Sequence, residues 1–176
     1  MSFRKNETLA DFFMYAMMEI YGAFMKITSP AFTHGQSIPM KYTCDGENIN
    51  PPLLISAVPA EVKSLVLIME DPDVPKTIRQ DGVWDHWIVW DMPPTTTEIL
   101  EGREPQGVIG KNSGEEKGYA GPCPPDREHR YFFKLFALDL ASLALPYSAS
   151  KAEVKKSMEG HIIAQAEFIG LYDRAH

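Results

Sequence analysis

The chain has 176 residues, a 44% hydrophobic composition and a formal net charge of −7 at pH 7. That is the size of one domain with a substantial core. The acidic balance excludes nucleic acid and anionic membrane surfaces as main partners, because phosphate contacts along either need a basic face; a local site for one small anion stays open.

The first element lies in residues 1–24. Leu9, Phe12, Phe13, Ala16, Met17, Ile20, Tyr21 and Phe24 recur at helical spacing, and Thr8 with Asp11 supplies a capped start. The pattern predicts an amphipathic helix that extends a domain spanning residues 25–176. Asp11 and Glu19 interrupt any signal-peptide core, and no apolar run reaches membrane-spanning length, so no stable membrane insertion is expected. Packing on its own domain and serving as a homodimerisation arm stand open equally for this helix, ahead of membrane-surface binding, for which the polar face lacks a basic cluster.

Strand-like runs separated by Pro and Gly turns follow. Phe24 to Ile27 opens a strand, and turns are marked at Ser29-Pro30, Gly35-Gln36, Asp45-Gly46 and Asn50-Pro51-Pro52. Leu65 to Met69 is continuously apolar, which predicts a central strand covered on both faces. Trp84 to Met92 alternates, placing Trp84, His86, Ile88 and Trp90 on one face. Residues 93–125 form a long, glycine-rich segment of low apolar density, stiffened at its end by Tyr119 to Pro125. Arg130 to Leu138 is another long strand, with His129, Tyr131, Phe133, Leu135 and Ala137 sharing one side. Ser150 and Glu153 form a capping box for a second helix with a Val154/Met158 stripe, which Gly160 ends. Ile162 to Tyr172 reads as the last strand. The whole is mostly β, an antiparallel β-sandwich with a few short helices.

Three segments couple titratable side chains to rigid turns: Asp71-Pro72-Asp73-Val74-Pro75, Trp84-Asp85-His86-Trp87, and Gly121 to Tyr131. Asp71 is placed to accept a hydrogen bond from a ligand or to orient an imidazole, while Asp73 reads as a turn residue paired with Arg130. His86 supplies one polar tip in an aromatic wall. His129 and Tyr131, two apart on a strand, present an imidazolium and a phenol as donors to one oxyanion. The loop opened by Gly121-Pro122 exposes backbone N–H groups as further fixed donors. A metal site is disfavoured, since the histidines come from separate strands. An acid–base hydrolase built on Asp71, His86 and His129 is an alternative, although no GxSxG elbow, Walker loop or GxGxxG motif is present. Cys44 and Cys123 form no CxxC pair. Reduced thiols in a cytoplasmic protein are the expectation. A Cys44–Cys123 bridge is the alternative, because both cysteines flank loops that meet at one end of the fold.

Together, Ser29-Pro30-Ala31-Phe32, Tyr42-Thr43-Cys44-Asp45-Gly46-Glu47-Asn48, the DPDVP turn, the WDHW strand, the GPCPP loop and HRYFFKLFALD form a specific set. On them the chain resembles the phosphatidylethanolamine-binding protein family, also called Raf kinase inhibitor-like, and its bacterial and archaeal branch in particular. The resemblance runs from Lys26 to Tyr172. It implies a Greek-key β-sandwich of two antiparallel sheets. It also implies a pocket for phosphate, acetate or a phospholipid headgroup, formed by Asp71, His86, Gly121, Pro122, His129 and Tyr131, with Pro75 and Trp84 at the rim. The implied function is binding with a regulatory role, without cofactor, metal or turnover. Inhibition of a kinase or protease partner is the alternative, since several eukaryotic relatives act so. Two departures stand out: Ile55 where relatives often carry Trp, and the acidic stretch Ser113-Gly114-Glu115-Glu116 at one wall of the pocket mouth.

Overall fold

In the computed structural model, residues 24–174 are described. The helix expected in residues 1–24, and any dimerisation through it, falls outside them except for Phe24, which is exposed and non-helical. The strands are β1 (Lys26–Thr28), β2 (Gln36–Ser37), β3 (Leu53–Ser56), β4 (Ser64–Asp71), β5 (Trp84–Met92), β6 (Glu98–Ile99), β7 (Val108–Ile109), β8 (His129–Leu138) and β9 (Ile162–Tyr172). A single turn of 3-10 helix covers Met40–Tyr42, and α1 covers Lys151–Met158.

β4 is buried at every position, as its unbroken apolar run requires of a strand with both faces covered. It lies between β5 and β8 in a six-stranded sheet ordered β2-β9-β8-β4-β5-β7. A three-stranded sheet, β1-β3-β6, packs against its inner face. Leu65, Leu67 and Met69 of β4 meet Ile27, Leu53, Ile55 and Ile99 there. Each such side chain contributes about 1.5–3 kcal/mol by leaving water. Val66 and Ile68 point the other way, into a second cluster with Ile88, Trp90 and Leu138. α1 covers that cluster with Val154 and Met158, and its Ser150/Glu153 capping box is formed as the sequence indicates.

Three expectations are corrected. The larger sheet is not wholly antiparallel, because β2 runs parallel to β9, pairing Gln36 with Gly170. A β-carbon at Gly170 would lie 2.5 Å from Ile38 Cγ1, so only glycine lets the chain after β2 come this close. Residues 93–125 are not one loop: they hold β6, β7 and an isolated bridge between Lys111 and Lys117, elements too short to leave a periodic signature. The cysteines are not free thiols, since Cys44 and Cys123 are disulfide-bonded with Cα atoms 5.5 Å apart. Their loops are tied on either side of the bridge. The Cys44 N–H donates to Pro122 O at 3.1 Å, and the Gly121 N–H donates to Asn48 Oδ1 at 2.7 Å. The expectation of a cytoplasmic protein loses its basis with those thiols. No helix among the described residues is long and apolar enough to cross a membrane.

Candidate functional site

The site forms where the end of β4 meets the starts of β5 and β8. Asp71 pairs with Trp84, and Glu70 pairs with Phe132. Pro72 and Pro75 lock φ in the turn that leaves β4. Asp71 Oδ1 accepts the Asp73 N–H at 2.8 Å. Asp73 in turn accepts from Arg130 Nε at 2.8 Å and Nη2 at 2.7 Å, which holds the turn against β8.

A bulge decides where His86 points. Strict alternation would place it with Ile88 and Trp90. Instead Met69 pairs with Trp87 and Glu70 with Asp85, leaving His86 as the extra residue. Asp85 then faces outward to an ion pair with Lys151, while the His86 ring meets Tyr131 edge-on, with centroids 5.2 Å apart. Residues 120–121 clamp this bulge: the Ala120 N–H donates to His86 O at 2.9 Å, and His86 Nδ1 lies 2.7 Å from Ala120 O. A carbonyl can only accept, so Nδ1 carries the proton and Nε2 presents a lone pair. Burial pushes the imidazole down to about 4, outweighing the Ala120 bond that favours the charged form. His86 is therefore neutral at pH 7.

His129 is fully buried, and both of its ring nitrogens are engaged. Nδ1 lies 2.7 Å from Asp71 Oδ2, and Nε2 lies 2.9 Å from Asp126 Oδ1. Both contacts are hydrogen bonds together when each nitrogen carries a proton. Desolvation raises the Asp71 carboxyl above its ordinary range, opposed mainly by the His129 bond. Both ring nitrogens of His129, expected to donate to a ligand, are thus taken within the protein, and His129 is not in the cavity lining.

Tyr131 has no exposed surface, and its Oη makes no hydrogen bond among the described residues. The Cys123 backbone amide is near enough to favour the phenolate slightly but lies outside hydrogen-bond geometry. Burial, the largest influence, drives the phenol well above its usual value, so Tyr131 remains a hydroxyl.

Asp71 and His86 border a cavity of about 410 Å³. Asp71, His86, Asn48 and Gly121 supply its polar lining, and Val74, Ile78, Trp84 and Pro125 supply an apolar mouth. The Cys44–Cys123 bridge forms part of the wall. The Arg79 guanidinium stacks over the outer ring of Trp84, 5.5 Å from its centroid. Tyr131 sits behind His86 rather than in the lining, and Pro75 and Pro122 stand outside it. The Gly121 N–H, expected to meet a ligand, is taken by Asn48. A β-carbon there would lie 2.6 Å from Asn48 Oδ1 and 2.7 Å from Tyr42 O, so the close approach of the two loops demands glycine. Glu115 turns away to Lys111 at 3.1 Å, and neither Glu115 nor Glu116 lines the cavity.

Asn48, Val74, Ile78 and Asp126 were missed among the candidates. Asn48 had a signal: it ends an Asp-Gly-Glu-Asn turn and adopts φ 57°, a conformation asparagine tolerates well. Val74 and Ile78 had none, because apolar residues in a turn look like ordinary packing.

Residues 28–173 match the model of the phosphatidylethanolamine-binding protein family. A UPF0098 protein of Chlamydia trachomatis is 49% identical over 150 residues, covering 85% of this chain and 99% of its own. A UPF0098 protein of Methanothermobacter thermautotrophicus is 47% identical over 156 residues, with 85% and 99% covered. The crystal structure of a phosphatidylethanolamine-binding protein homologue from Chlamydia trachomatis superposes with a TM-score of 0.84 at 48% identity, over 86% of this chain and 99% of that one. The Escherichia coli protein YbcL, described as a member of the mammalian family, gives 0.78 at 30% identity, over 87% and 100%. The chain belongs to the phosphatidylethanolamine-binding protein family, and membership implies a ligand-binding protein.

Proposed function

We propose that the cavity binds a small oxyacid group, as in free phosphate or a phospho-headgroup, and holds it without turnover. The observation that carries this reading is His86: it lines the cavity beside Asp71, and its Nε2 makes no hydrogen bond among the described residues. A buried ring nitrogen left without a hydrogen bond costs about 1–3 kcal/mol, which a bound hydroxyl would recover. The cavity has the size and the mixed lining of a small-molecule site. Binding is favoured over acid–base hydrolysis because both His129 nitrogens are held by carboxylates. That leaves His86 alone, a weak base near 4, with no activated nucleophile beside it.

The Cys44–Cys123 bridge supports an oxidising working environment, since such bonds persist outside the reducing cytosol.

A thermal-shift titration with inorganic phosphate tests the reading. Phosphate is expected to raise the melting temperature of the wild type and to do so far less in His86→Phe. Full protection of that variant would remove this cavity as the binding site.

A further inference from the structure

The hydrogen-bond donors of this site are mostly spent inside the protein. The Gly121 N–H goes to Asn48 Oδ1 at 2.7 Å, and the His86 Nδ1–H goes to Ala120 O at 2.7 Å. Both His129 nitrogens go to carboxylates. What faces the cavity from His86 is therefore a lone pair on Nε2, and what faces it from Asp71 is a carboxylate. Side-chain donors remain on two lining residues. The Oδ1 of Asn48 accepts from Gly121, and its Nδ2 makes no hydrogen bond among the described residues. The indole N–H of Trp84 makes none either.

A site of this kind sorts oxyanions by whether they carry a proton. An oxygen lone pair brought to His86 Nε2 or to the Asp71 carboxylate meets another lone pair. A hydroxyl on the same ligand donates there instead, while its remaining oxygens accept from the free donors of Asn48 and Trp84. Resting on the reading of this cavity as an oxyacid site, we propose that it selects oxyacids that retain a proton, as inorganic phosphate does at neutral pH, over fully deprotonated ones such as sulfate.

The escape route is protonation of His86 on binding. Burial opposes it, and the charge of His129 opposes it further. With the imidazole near 4, about one molecule in a thousand carries that proton at pH 7 before a ligand arrives.

Calorimetric titration of the full chain at pH 7 with inorganic phosphate, sodium sulfate and ethanolamine tests the proposal. Phosphate is expected to bind at least about tenfold more tightly than sulfate, the penalty of one unmade buried hydrogen bond. A simple phosphate monoester is expected to tighten as the pH falls through about 6, where it gains its proton. Asp71→Asn and His86→Gln each place an amide donor where an acceptor stood, and both are expected to narrow the gap between phosphate and sulfate. Should Asp71→Asn fail to fold, His86→Gln carries the test alone. Equal affinity of the wild type for phosphate and sulfate, or an unchanged ratio in His86→Gln, overturns the selection while leaving the oxyacid site standing. Binding of ethanolamine with neither anion overturns both.

Discussion

Asp71 Oδ2 and His129 Nδ1 meet at 2.7 Å across 58 residues of chain, with His129 fully buried and Asp71 nearly so. Asp126 takes the opposite nitrogen at 2.9 Å from a half-exposed loop. The imidazole therefore bridges the β4 exit to the loop before β8. Neither ring nitrogen of His129 is left free, while Asp71, His86 and Asn48 line the cavity.

The neutral His86 makes stability depend on pH. Its folded value, about 4, lies below the unfolded value near 6.5, so between them the unfolded chain binds the extra proton. Stability from this residue is complete above pH 7 and falls as the pH drops from 6.5 to 4, by about 3 kcal/mol. Urea unfolding of the wild type and His86→Gln across this window checks it. The variant is expected to show the flatter profile, and equal slopes would mean His86 titrates normally.

Tyr131→Phe tests the buried hydroxyl behind His86. It has no partner to lose, so stability is expected to hold or rise by up to about 1 kcal/mol. Phosphate affinity is expected to change little, because Oη lies outside the cavity lining. A variant destabilised by 2 kcal/mol or more in urea would show that Oη is satisfied in the free protein.

The Cys44–Cys123 bridge closes a long loop, with a sequence separation of 79 residues. On chain entropy alone, reduction or Cys123→Ser is expected to cost about 4 kcal/mol. Because both cysteines stand in the cavity wall, phosphate protection is expected to weaken in parallel. Denaturant midpoints with and without reductant measure the first effect. An unchanged midpoint would mean the thiols are not joined in solution.

Gly121→Ala drives a methyl group to within 2.6 Å of Asn48 Oδ1 and 2.7 Å of Tyr42 O. Overpacking of this kind costs about 1–3 kcal/mol. It also pushes Asn48 away from the cavity, so affinity is expected to fall with stability. Gly121 lies outside the left-handed region, so the loss is expected from loop contact and not from backbone strain. Unchanged stability and affinity in Gly121→Ala would show that the two loops do not approach this closely in solution.

The fold was legible where periodicity was long. The continuous run of β4, the alternation of β8 and the capping box of α1 each stand where the sequence places them. Short elements were not: β6 and β7 have two residues each, and no pattern can build in two positions. Within the site, Asp71 and Gly121 were visible from their rigid turns, and His86 from its aromatic neighbours. The face of His86 was hidden, because one bulge reverses an alternation that the sequence alone reads as regular. The engagement of His129 was hidden too, since Asp126 looks like an ordinary loop acid until the loop folds back.

The most direct measurement is side-chain nitrogen NMR of the histidines during titration with inorganic phosphate at pH 7. Free protein is expected to show His86 as a neutral ring protonated at Nδ1, with an unbonded Nε2 whose resonance moves on saturation while the His129 signals move little. A His86 resonance that ignores phosphate, or one that is already an imidazolium in the free protein, would contradict the account of this cavity.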